Sequence, residues 1–515
     1  MEYKEKLASS ELKLLKLVKP IGNYRAARKA SKSPSWNVTV RELCVMAGLD
    51  PQSFSEGVKA RLERKVRQVC RAGSRMLDNC ICVQLYEDGD NLMRWAMANG
   101  AIVVVTPKQI DDLPCIVVDN PVAVYAAMCG YYRKLTNVEI TAVVGSIGKT
   151  TTKRMVSSVY SAQFNTFSDP ENENQIDCVG YICQHIPGKT IKQVQEISED
   201  TPGCVHYMSE MLTPQIAVVT AIDKSHIESF GNEENIYKEI CSITDAMPKD
   251  GVVVTNLDEF DHTRWVANHR AVTVSLNNEN ADYYAKQIGL ESKGLSFVIV
   301  SRKDKREYPV ILNNVFAKHN IISALQAFAA GIEAGVSPEN AIKGLLNYRA
   351  SGIRQNVYDT ISGQKLYVDC YNAVARSVQS AIETADKIPV KGKKIAVIGD
   401  VEEAGPTSKE IHKEIIRIVD QSRFDVLFTF GPKIQEALQS VQVKDSLLVK
   451  SFLDKPALYK AIKGFKAKDN LFLFKASRKS ALETCIKAVW PLSFRLKMLD
   501  YYLPIIRWRL KVIFN

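Results

Sequence analysis

One stretch of the chain carries the residue types that bind a polyphosphate. It reads Val144-Gly-Ser-Ile-Gly-Lys-Thr-Thr-Thr152. Gly145 and Gly148 remove the side chains that would keep backbone N–H groups away from phosphate oxygens. Lys149 supplies a mobile cation, and Thr150 offers a hydroxyl group to Mg²⁺. This combination of residues predicts a phosphate-binding turn.

The surroundings of the turn favour the same interpretation. The segment Val138-Glu-Ile-Thr-Ala-Val-Val144, rich in β-branched residues, is typical of a parallel strand that is buried on both faces, and helical spacing follows the turn. A helix that begins there would point the positive end of its dipole at the anion. Position 143 is Val, so the full P-loop pattern is absent. The alternative is a glycine-rich turn that carries a surface lysine.

Apolar runs and helix-like segments alternate along the rest of the chain, which predicts an α/β protein with doubly wound, mostly parallel sheets. Helices are predicted at Leu92–Ala98, Val122–Tyr132 and Asn320–Ala334. Strands are predicted at Ala101–Thr106, Cys115–Asp119, Ile216–Thr220, Val252–Thr255, Leu366–Val368, Lys394–Ile398, Val426–Phe430 and Leu471–Phe474. We expect a basic arm (1–36), three domains (37–137, 138–350 and 351–490) and a basic, aromatic tail (491–515). For the tail we expect a terminal helix that packs on the third domain, and the alternative is an anchor at a membrane surface.

Composition excludes several classes of protein. The 515 residues include 68 Lys and Arg against 57 Asp and Glu, a modest excess of +11 that suits small anionic ligands, and no nucleic-acid-binding motif is present. No apolar run is long enough to cross a bilayer, and the first residues lack a signal-peptide pattern, so we expect a cytoplasmic protein. The 12 cysteines are scattered, which favours buried thiols over a zinc site or disulfides.

The segment Gly145–Thr152 resembles the ATP-binding motif of the Mur ligase family, ATP-dependent amide ligases that build the peptide of peptidoglycan. The resemblance runs from about Gly73 to about Lys487. It is strongest to the branch that joins D-alanyl-D-alanine to UDP-N-acetylmuramoyl-tripeptide. It implies an N-terminal domain like those that bind the UDP-linked substrate, a central ATP-binding domain with a P-loop-type parallel sheet, and a Rossmann-like C-terminal ligase domain.

The resemblance also assigns residues to ATP and Mg²⁺. It places Gly145, Ser146, Ile147, Gly148, Lys149, Thr150 and Thr151 at the phosphates, Asn320 at the adenine, and Arg354 and Asp369 at the nucleotide. Thr150, Glu196 and His226 would hold metal. By itself Asn320 is equally readable as a helix N-cap, and Glu196 as a solvated acid beside Glu199 and Asp200.

Substrate positions follow from the same resemblance. Ser74 and Arg75 lie where the family binds the uridine nucleotide, and Lys475, Ser477 and Arg478 lie where it binds the incoming amine. The implied catalytic residues are Lys149, His226 and Arg354. They would support attack of a carboxylate on the γ-phosphate of ATP to give an acyl phosphate, followed by amide formation.

Three departures from the family pattern leave alternatives open. Ile240 stands where family members carry a carbamylated lysine, and Lys238 would lie ~200° round the helix from it. Val374-Ala375 replaces an Asn-Pro pair, and the uridine-binding segment before Asp88 is shortened. One alternative is a catalytically weak, nucleotide-binding paralogue with a regulatory or scaffold role, and another is a ligase for a different carboxylate. A GTPase or motor is disfavoured because no guanine-specificity motif is present.

Overall fold

The structure is a computed structural model. It describes residues 37–73, 76–169, 173–222, 227–258, 268–291, 293–350, 352–402 and 407–498, without the side chains of residues 227 and 228. The described residues form two compact units: 37–136 with 177–188, and 137–176 with 189–498. The predicted boundary at 350 lies inside the second unit, and the predicted division into five parts stays a prediction.

The first unit contains a small α/β sheet. Four parallel strands lie in the order β3-β4-β5-β6, beside a two-stranded antiparallel ladder of β1 and β2. The strands are β1 (Val38–Thr39), β2 (Lys65–Val66), β3 (Gln68–Cys70), β4 (Cys80–Val83), β5 (Ala101–Thr106) and β6 (Cys115–Val117). The helices are α1 (Val40–Met46), α2 (Glu56–Lys59), α3 (Asp90–Ala98) and α4 (Pro121–Lys134). Every residue of β5 is buried, as its continuous apolar sequence requires.

The second unit opens with a nine-stranded sheet in the order β15-β14-β13-β12-β11-β10-β7-β9-β8. Its strands are β7 (Glu139–Val144), β8 (Thr166–Ser168), β9 (Lys192–Glu196), β10 (Ile216–Val219), β11 (Val252–Asn256), β12 (Arg270–Ser275), β13 (Tyr283–Glu291), β14 (Gly294–Ser301) and β15 (Arg306–Asn313). The helices of this segment are α5 (Lys149–Ser161), α6 (Ile176–Cys183), α7 (Cys204–Leu212), α8 (Ile227–Phe230), α9 (Glu233–Cys241), α10 (Asn320–Glu333) and α11 (Pro338–Asn347). Most of α6 belongs to the first unit.

A six-stranded sheet follows in the order β16-β17-β21-β18-β19-β20, parallel except for β16. Its strands are β16 (Asn356–Asp359), β17 (Lys365–Asp369), β18 (Lys394–Gly399), β19 (Val426–Phe430), β20 (Leu448–Phe452) and β21 (Leu471–Lys475). Its helices are α12 (Ala375–Lys387), α13 (Ser408–Gln421), α14 (Pro432–Leu438), α15 (Lys455–Lys463) and α16 (Glu483–Val489). Short 3₁₀ helices occur at Pro51–Ser53, Ser242–Thr244 and Arg478–Ser480.

The helix that follows the predicted phosphate turn is anchored by close packing. The inner face of α5 buries Met155, Val156 and Val159 in the same core as the Ala-rich α10. A Cβ atom on Gly344 of α11 would lie 2.5 Å from the Val159 Cα atom, so only glycine permits this approach. Tyr160 reaches across the core, where its hydroxyl donates a hydrogen bond to the Ala330 carbonyl at 3.2 Å. The turn is therefore followed by a helix that is tightly packed in the core.

The predicted fold class is confirmed: the described residues are mixed α/β with largely parallel sheets. The sequence did not predict the antiparallel strands β13, β14 and β15. Burial alternates along β14, so one of its faces is covered and the other is half-buried. The central strands β7, β10 and β11 were predicted, whereas the central parallel strands β4, β9 and β12 were not. The buried strand β9 carries Lys, Gln and Glu, so its composition does not mark it as a strand.

Three expectations about the whole chain can be compared with the described residues. All 12 cysteines are free, and most are buried, as expected. None of the described helices combines the length and apolarity that a bilayer crossing needs. Residues 491–498 of the tail are helical, and Phe494 packs on the core that contains Trp490 and Tyr358. This favours a packed terminal helix for those residues; the rest of the tail lies outside the described residues.

Candidate functional site

The predicted phosphate turn lies between β7 and α5. Gly145 has φ +132° and Gly148, the N-cap of α5, is left-handed with φ +89°, conformations that side-chain-bearing residues rarely adopt. A Cβ atom on Gly145 would lie 2.3 Å from Thr220 Oγ1. Because Gly148 has no side chain to cap the helix, the first N–H groups of α5 are left for a ligand. These constraints explain both glycines, and the phosphate-binding role of the turn stays a prediction.

Thr220 and Ala221, the two residues that follow β10, hold the turn in place. The backbone N–H groups of Ser146 and Ile147 donate to the Ala221 carbonyl at 2.7 and 3.3 Å. The Thr220 N–H donates to the Val144 carbonyl at 2.9 Å, which extends the pairing of the two parallel strands. The turn therefore keeps its shape through backbone hydrogen bonds.

Lys149 is held by two kinds of oxygen. Its Nζ donates to the Gly145 carbonyl at 2.6 Å and to Glu199 Oε2 at 2.8 Å. The Lys149 side chain is 14% exposed and that of Glu199 is completely buried. The contact is therefore an ion pair in a low-dielectric environment, where charge effects are stronger than at the surface.

Thr150 and Glu196 meet at the end of β9. Thr150 Oγ1 and Asn174 Nδ2 donate to Glu196 Oε1 at 3.2 and 2.9 Å. Glu196 is buried, so it is not the solvated acid that the sequence left open. Burial acts to raise its pKa, but the charges of Lys153, Lys149 and Arg354 outweigh this and lower the pKa below the ordinary value. Glu196 is therefore an ionised carboxylate.

A second lysine of α5 lies beneath this site. Lys153 Nζ lies 2.6 Å from Asp169 Oδ2 and 3.4 Å from Glu196 Oε2, and all three side chains are buried. Burial raises the pKa of Asp169 to about 6, while the charge of Lys153 opposes that rise. Sequence reasoning did not single out Lys153, Asp169 or Asn174. A lysine four residues after Lys149, on the apolar face of the helix, was the signal available.

These residues suit a hard divalent cation. Glu196 Oε2 is buried and has no hydrogen-bond partner among the described residues. A carboxylate, a threonine hydroxyl and phosphate oxygens are the ligands that Mg²⁺ takes. Within the described ranges no three His, Cys, Asp or Glu side chains form a metal-binding group. His226, the third predicted metal residue, lies outside the described residues, as do Ser74 and Arg75.

The six-stranded sheet brings further predicted residues together. Lys475 Nζ lies 2.7 Å from Asp369 Oδ2 and donates to the Asn372 carbonyl at 2.6 Å, with both charged side chains buried. Asp369 Oδ1 also accepts a hydrogen bond from the Gln355 N–H at 3.3 Å. A residue expected at the nucleotide and one expected at the amine are therefore joined as an ion pair. The two ends of this pair come from the adjacent parallel strands β17 and β21.

Gln355 extends this network to the start of α10. Its Oε1 accepts from Asn320 Nδ2 at 3.1 Å, and its side chain also contacts the His319 ring. The N-cap of α10 is His319, so the alternative of Asn320 as a cap is wrong. The neighbouring Arg354 guanidinium lies 3.4 Å from the centre of the Tyr371 ring. That stacking orients the arginine.

The remaining predicted amine-site residues have separate partners. Ser477 is buried, and its Oγ accepts a hydrogen bond from the Glu402 N–H at 3.0 Å. Arg478 is largely exposed and forms an ion pair with Glu483. The predicted amine-site residues thus lie on one segment but do not converge on one contact.

The helix α9 shows why Ile240 cannot act as a metal ligand. Ile240 is completely buried, whereas Lys238 is exposed, consistent with their separation around the helix. The adjacent Glu239 accepts hydrogen bonds from the Gly203 and Val205 N–H groups at 2.7 and 2.8 Å. Its carboxylate therefore caps the start of α7.

In the first unit, an arginine directly after β3 pairs with Asp88. Both nitrogens Nε and Nη2 of Arg71 donate to the carboxylate of Asp88, with the closest contact at 2.7 Å. The guanidinium lies 4.5 Å from the centre of the Tyr86 ring. Sequence reasoning singled out Asp88 but not the arginine that pairs with it.

Comparisons with known proteins agree with this architecture. The Mur ligase middle domain model matches residues 143–331, and the Mur ligase, glutamate ligase domain model matches residues 353–478. UDP-N-acetylmuramoyl-tripeptide--D-alanyl-D-alanine ligase of Bacillus subtilis is 28% identical over 78% of this chain and 87% of that protein. The Escherichia coli enzyme of the same name is 25% identical over 78% of this chain and 88% of its own.

Solved structures show the same fold. MurF from Acinetobacter baumannii has a TM-score of 0.75 and 23% identity over 88% of this chain and 98% of its own. MurF ligase from Thermotoga maritima, in complex with ADP, has a TM-score of 0.70 and 20% identity, and the match covers 86% of this chain and 99% of the Thermotoga maritima chain. The two domain models cover most of the second unit, where the phosphate turn and the Asp369–Lys475 pair lie. This chain therefore belongs to the Mur ligase family.

Proposed function

We propose that this protein is an ATP-dependent carbon–nitrogen ligase that joins D-alanyl-D-alanine to the peptide carboxylate of UDP-N-acetylmuramoyl-tripeptide in cell-wall synthesis. The observation that carries the proposal is the glycine turn at the start of α5, with Lys149, Thr150 and the ionised Glu196 beside it. That site lies in a chain spanning 87% of a relative named for this reaction. A cytoplasmic location, where ATP is available, belongs to the proposal.

The main task of the proposed site is charge neutralisation. A substrate carboxylate and the γ-phosphate of ATP are both anions, and their oxygen–phosphorus bond forms while ADP leaves. The N–H groups at the start of α5 and the ammonium of Lys149 would bind the phosphate chain. An amine then attacks the acyl phosphate, the C–N bond forms, and phosphate leaves.

Mg²⁺ belongs to the proposal as a bound cofactor. Thr150 and Glu196 would hold it, because a hydroxyl group and an ionised carboxylate with a buried oxygen that accepts no hydrogen bond from the described residues fit its ligand preference. When bound, the ion supplies positive charge to the phosphate oxygens. Lys153 keeps Glu196 ionised from beneath the site.

Residues at the start of α10, before β16 and on the six-stranded sheet would position both substrates. Asn320 and Arg354 are proposed to contact the nucleotide, and the Asp369–Lys475 pair to hold the segment that carries Ser477. Because Lys475 is buried and pairs with Asp369, we assign it a positioning role.

The test is phosphate release from ATP by the purified protein with UDP-N-acetylmuramoyl-tripeptide and D-alanyl-D-alanine, each alone and together. Release that requires both substrates, with the amide product detected by mass spectrometry, supports the proposal. ATP binding without turnover contradicts it. Turnover with the dipeptide and a different UDP-linked or free carboxylate would contradict the proposed carboxylate substrate and leave the ligase activity standing.

One observation favours a second candidate, a nucleotide-binding paralogue with weak catalysis. The buried Ile240 gives α9 no side chain that could bind metal at that position. The same assay separates the two candidates, because the paralogue would bind ATP with no substrate-dependent phosphate release. Membrane-surface contact through the tail is a subsidiary proposal. Equal co-sedimentation with liposomes by the full chain and a chain without residues 499–515 would contradict it.

A further inference from the structure

Glu199 is a buried acid with one oxygen engaged and one free. Oε2 accepts the hydrogen bond from Lys149 Nζ at 2.8 Å, and the side chain has no exposed surface. Oε1 has no hydrogen-bond partner among the described residues. Buried carboxylate oxygens normally have a partner, so this oxygen is a position at which a cation or a water molecule would be stabilised.

A second carboxylate oxygen without a hydrogen-bond partner among the described residues lies on the same segment. Glu196 ends β9, three residues before Glu199, and its Oε2 also has no hydrogen-bond partner among the described residues. The two acids contact consecutive residues of α5, because Glu199 pairs with Lys149 and Glu196 accepts from Thr150. Two carboxylates therefore lie beside the first turn of α5, each with one oxygen that accepts no hydrogen bond from the described residues, although Glu196 Oε2 lies 3.4 Å from the Lys153 ammonium.

The ion pair between Lys149 and Glu199 competes with the proposed role of the lysine. If the ammonium moves to phosphate oxygens, Glu199 loses the one partner that its side chain has among the described residues and remains buried with a negative charge. A buried unpaired charge is strongly unfavourable. A divalent cation that arrives with the nucleotide would remove that penalty.

The helix α9 offers no replacement acid at this point. Ile240 is apolar and buried, and the carboxylate of Glu239 is occupied by two backbone N–H groups. Mg²⁺ at nucleotide sites commonly takes one or two carboxylates together with phosphate oxygens. We propose that Glu199 is a second carboxylate ligand of the divalent cation bound with the nucleotide, and that it is released for this role when Lys149 moves to the phosphates. This inference rests on the proposed function.

The test uses Mn²⁺ as a paramagnetic probe in place of Mg²⁺. Mn²⁺ affinity is measured by electron paramagnetic resonance with a saturating non-hydrolysable ATP analogue, for the wild type, Glu199→Gln and Asp200→Asn. Mutation of residues that only hydrogen-bond to a metal ligand already changes metal affinity by about 10–100-fold. Glu199→Gln is therefore expected to lower the Mn²⁺ affinity by ~10-fold or more. Asp200→Asn, which removes a charge from the adjacent residue, is expected to stay within about 2-fold of the wild type.

A second measurement separates metal binding from nucleotide binding. With metal chelated by EDTA, Glu199→Gln is expected to bind the analogue at least as well as the wild type, because Lys149 no longer has a competing carboxylate. Should Glu199→Gln fail to fold, Glu199→Asp keeps the charge on a shorter side chain, and its Mn²⁺ affinity is expected to fall in the same way. Circular dichroism and thermal melting monitor folding.

The outcomes are distinguishable. Unchanged Mn²⁺ affinity in the folded Glu199 variant, or an equal loss in Asp200→Asn, overturns the inference and leaves the proposed function standing. A wild-type protein that takes up no nucleotide overturns the proposed function and this inference with it. Selective loss of Mn²⁺ affinity in the Glu199 variant supports both.

Discussion

The Lys149 ammonium lies 2.8 Å from a carboxylate oxygen of Glu199, although the two residues come from different elements of the nine-stranded sheet domain. The pair joins the first residue of α5 to the segment after β9. The lysine of the predicted phosphate-binding turn is therefore also part of a buried ion pair. Its removal changes stability as well as ligand binding.

Lys149→Ala is expected to abolish substrate-dependent phosphate release and to destabilise the protein by about 3–5 kcal/mol, because Glu199 is left buried without its partner. Turnover is measured by phosphate release and stability by urea unfolding.

The double variant Lys149→Ala with Glu199→Gln is the matched control. It removes both charges, so it is expected to recover much of the lost stability and to stay inactive. A single variant as stable as the wild type would contradict the energetic part of this prediction, and an active one would contradict the assignment of Lys149.

Thr150 and Thr152 allow a comparison within one helical turn. Thr150→Val removes the hydroxyl that donates to Glu196, and Thr152→Val removes one that donates to Ser323 Oγ at 3.0 Å. We expect Thr150→Val to lower kcat by about 10²–10³-fold, the size typical for loss of one group that stabilises developing charge. Thr152→Val is expected to affect stability more than kcat. Phosphate release over a Mg²⁺ titration checks both, and equal kcat losses in the two variants would refute the metal role.

Gly145→Ala tests the shape of the turn. The new methyl group would lie 2.3 Å from Thr220 Oγ1, at a φ of +132° that alanine tolerates poorly. We expect the turn to shift and ATP affinity, measured by calorimetry, to fall by at least ~10-fold. Gly188→Ala is the control, since its methyl group would meet no atom within 4 Å. Retained affinity in Gly145→Ala would exclude this turn as the phosphate site.

His185 gives the first unit a defined pH dependence. Burial lowers its pKa to about 4 from 6.5, while the hydrogen bond from its ring to the Tyr181 carbonyl opposes that shift. The pKa is lower in the folded than in the unfolded state. Its stabilising contribution is therefore present above about pH 6.5 and is lost as the pH falls through about 4, up to ~3 kcal/mol.

The check is urea unfolding of the wild type and His185→Phe at several pH values between about 4 and 7. The phenylalanine keeps a ring beside Tyr181, which stacks on His185 with ring centres 4.2 Å apart, and removes the titrating group. The wild type is expected to lose more stability on acidification than the variant. Parallel pH profiles would show that His185 does not titrate in this range.

The predicted elements show where sequence reasoning succeeds. The strand predicted at Ala101–Thr106 is found at those residues, and the helix predicted at Asn320–Ala334 ends one residue earlier, at Glu333. Both are buried on nearly all sides, so their composition alone marks them. The antiparallel strand Arg306–Asn313 was not predicted, since half of its residues face solvent and its apolar pattern is weak.

The sequence by itself determined the glycine turn at the start of α5 and predicted its phosphate-binding role, because the requirements for glycine, lysine and threonine there are local to a few adjacent residues. The tertiary structure alone decided which charges meet. Glu199 pairs with Lys149, Asp169 with Lys153, and Asp369 with Lys475. These pairings depend on the order of β7, β8 and β9 and of β17 and β21 in their sheets. Strand order brings distant residues to one edge, and no local pattern encodes it.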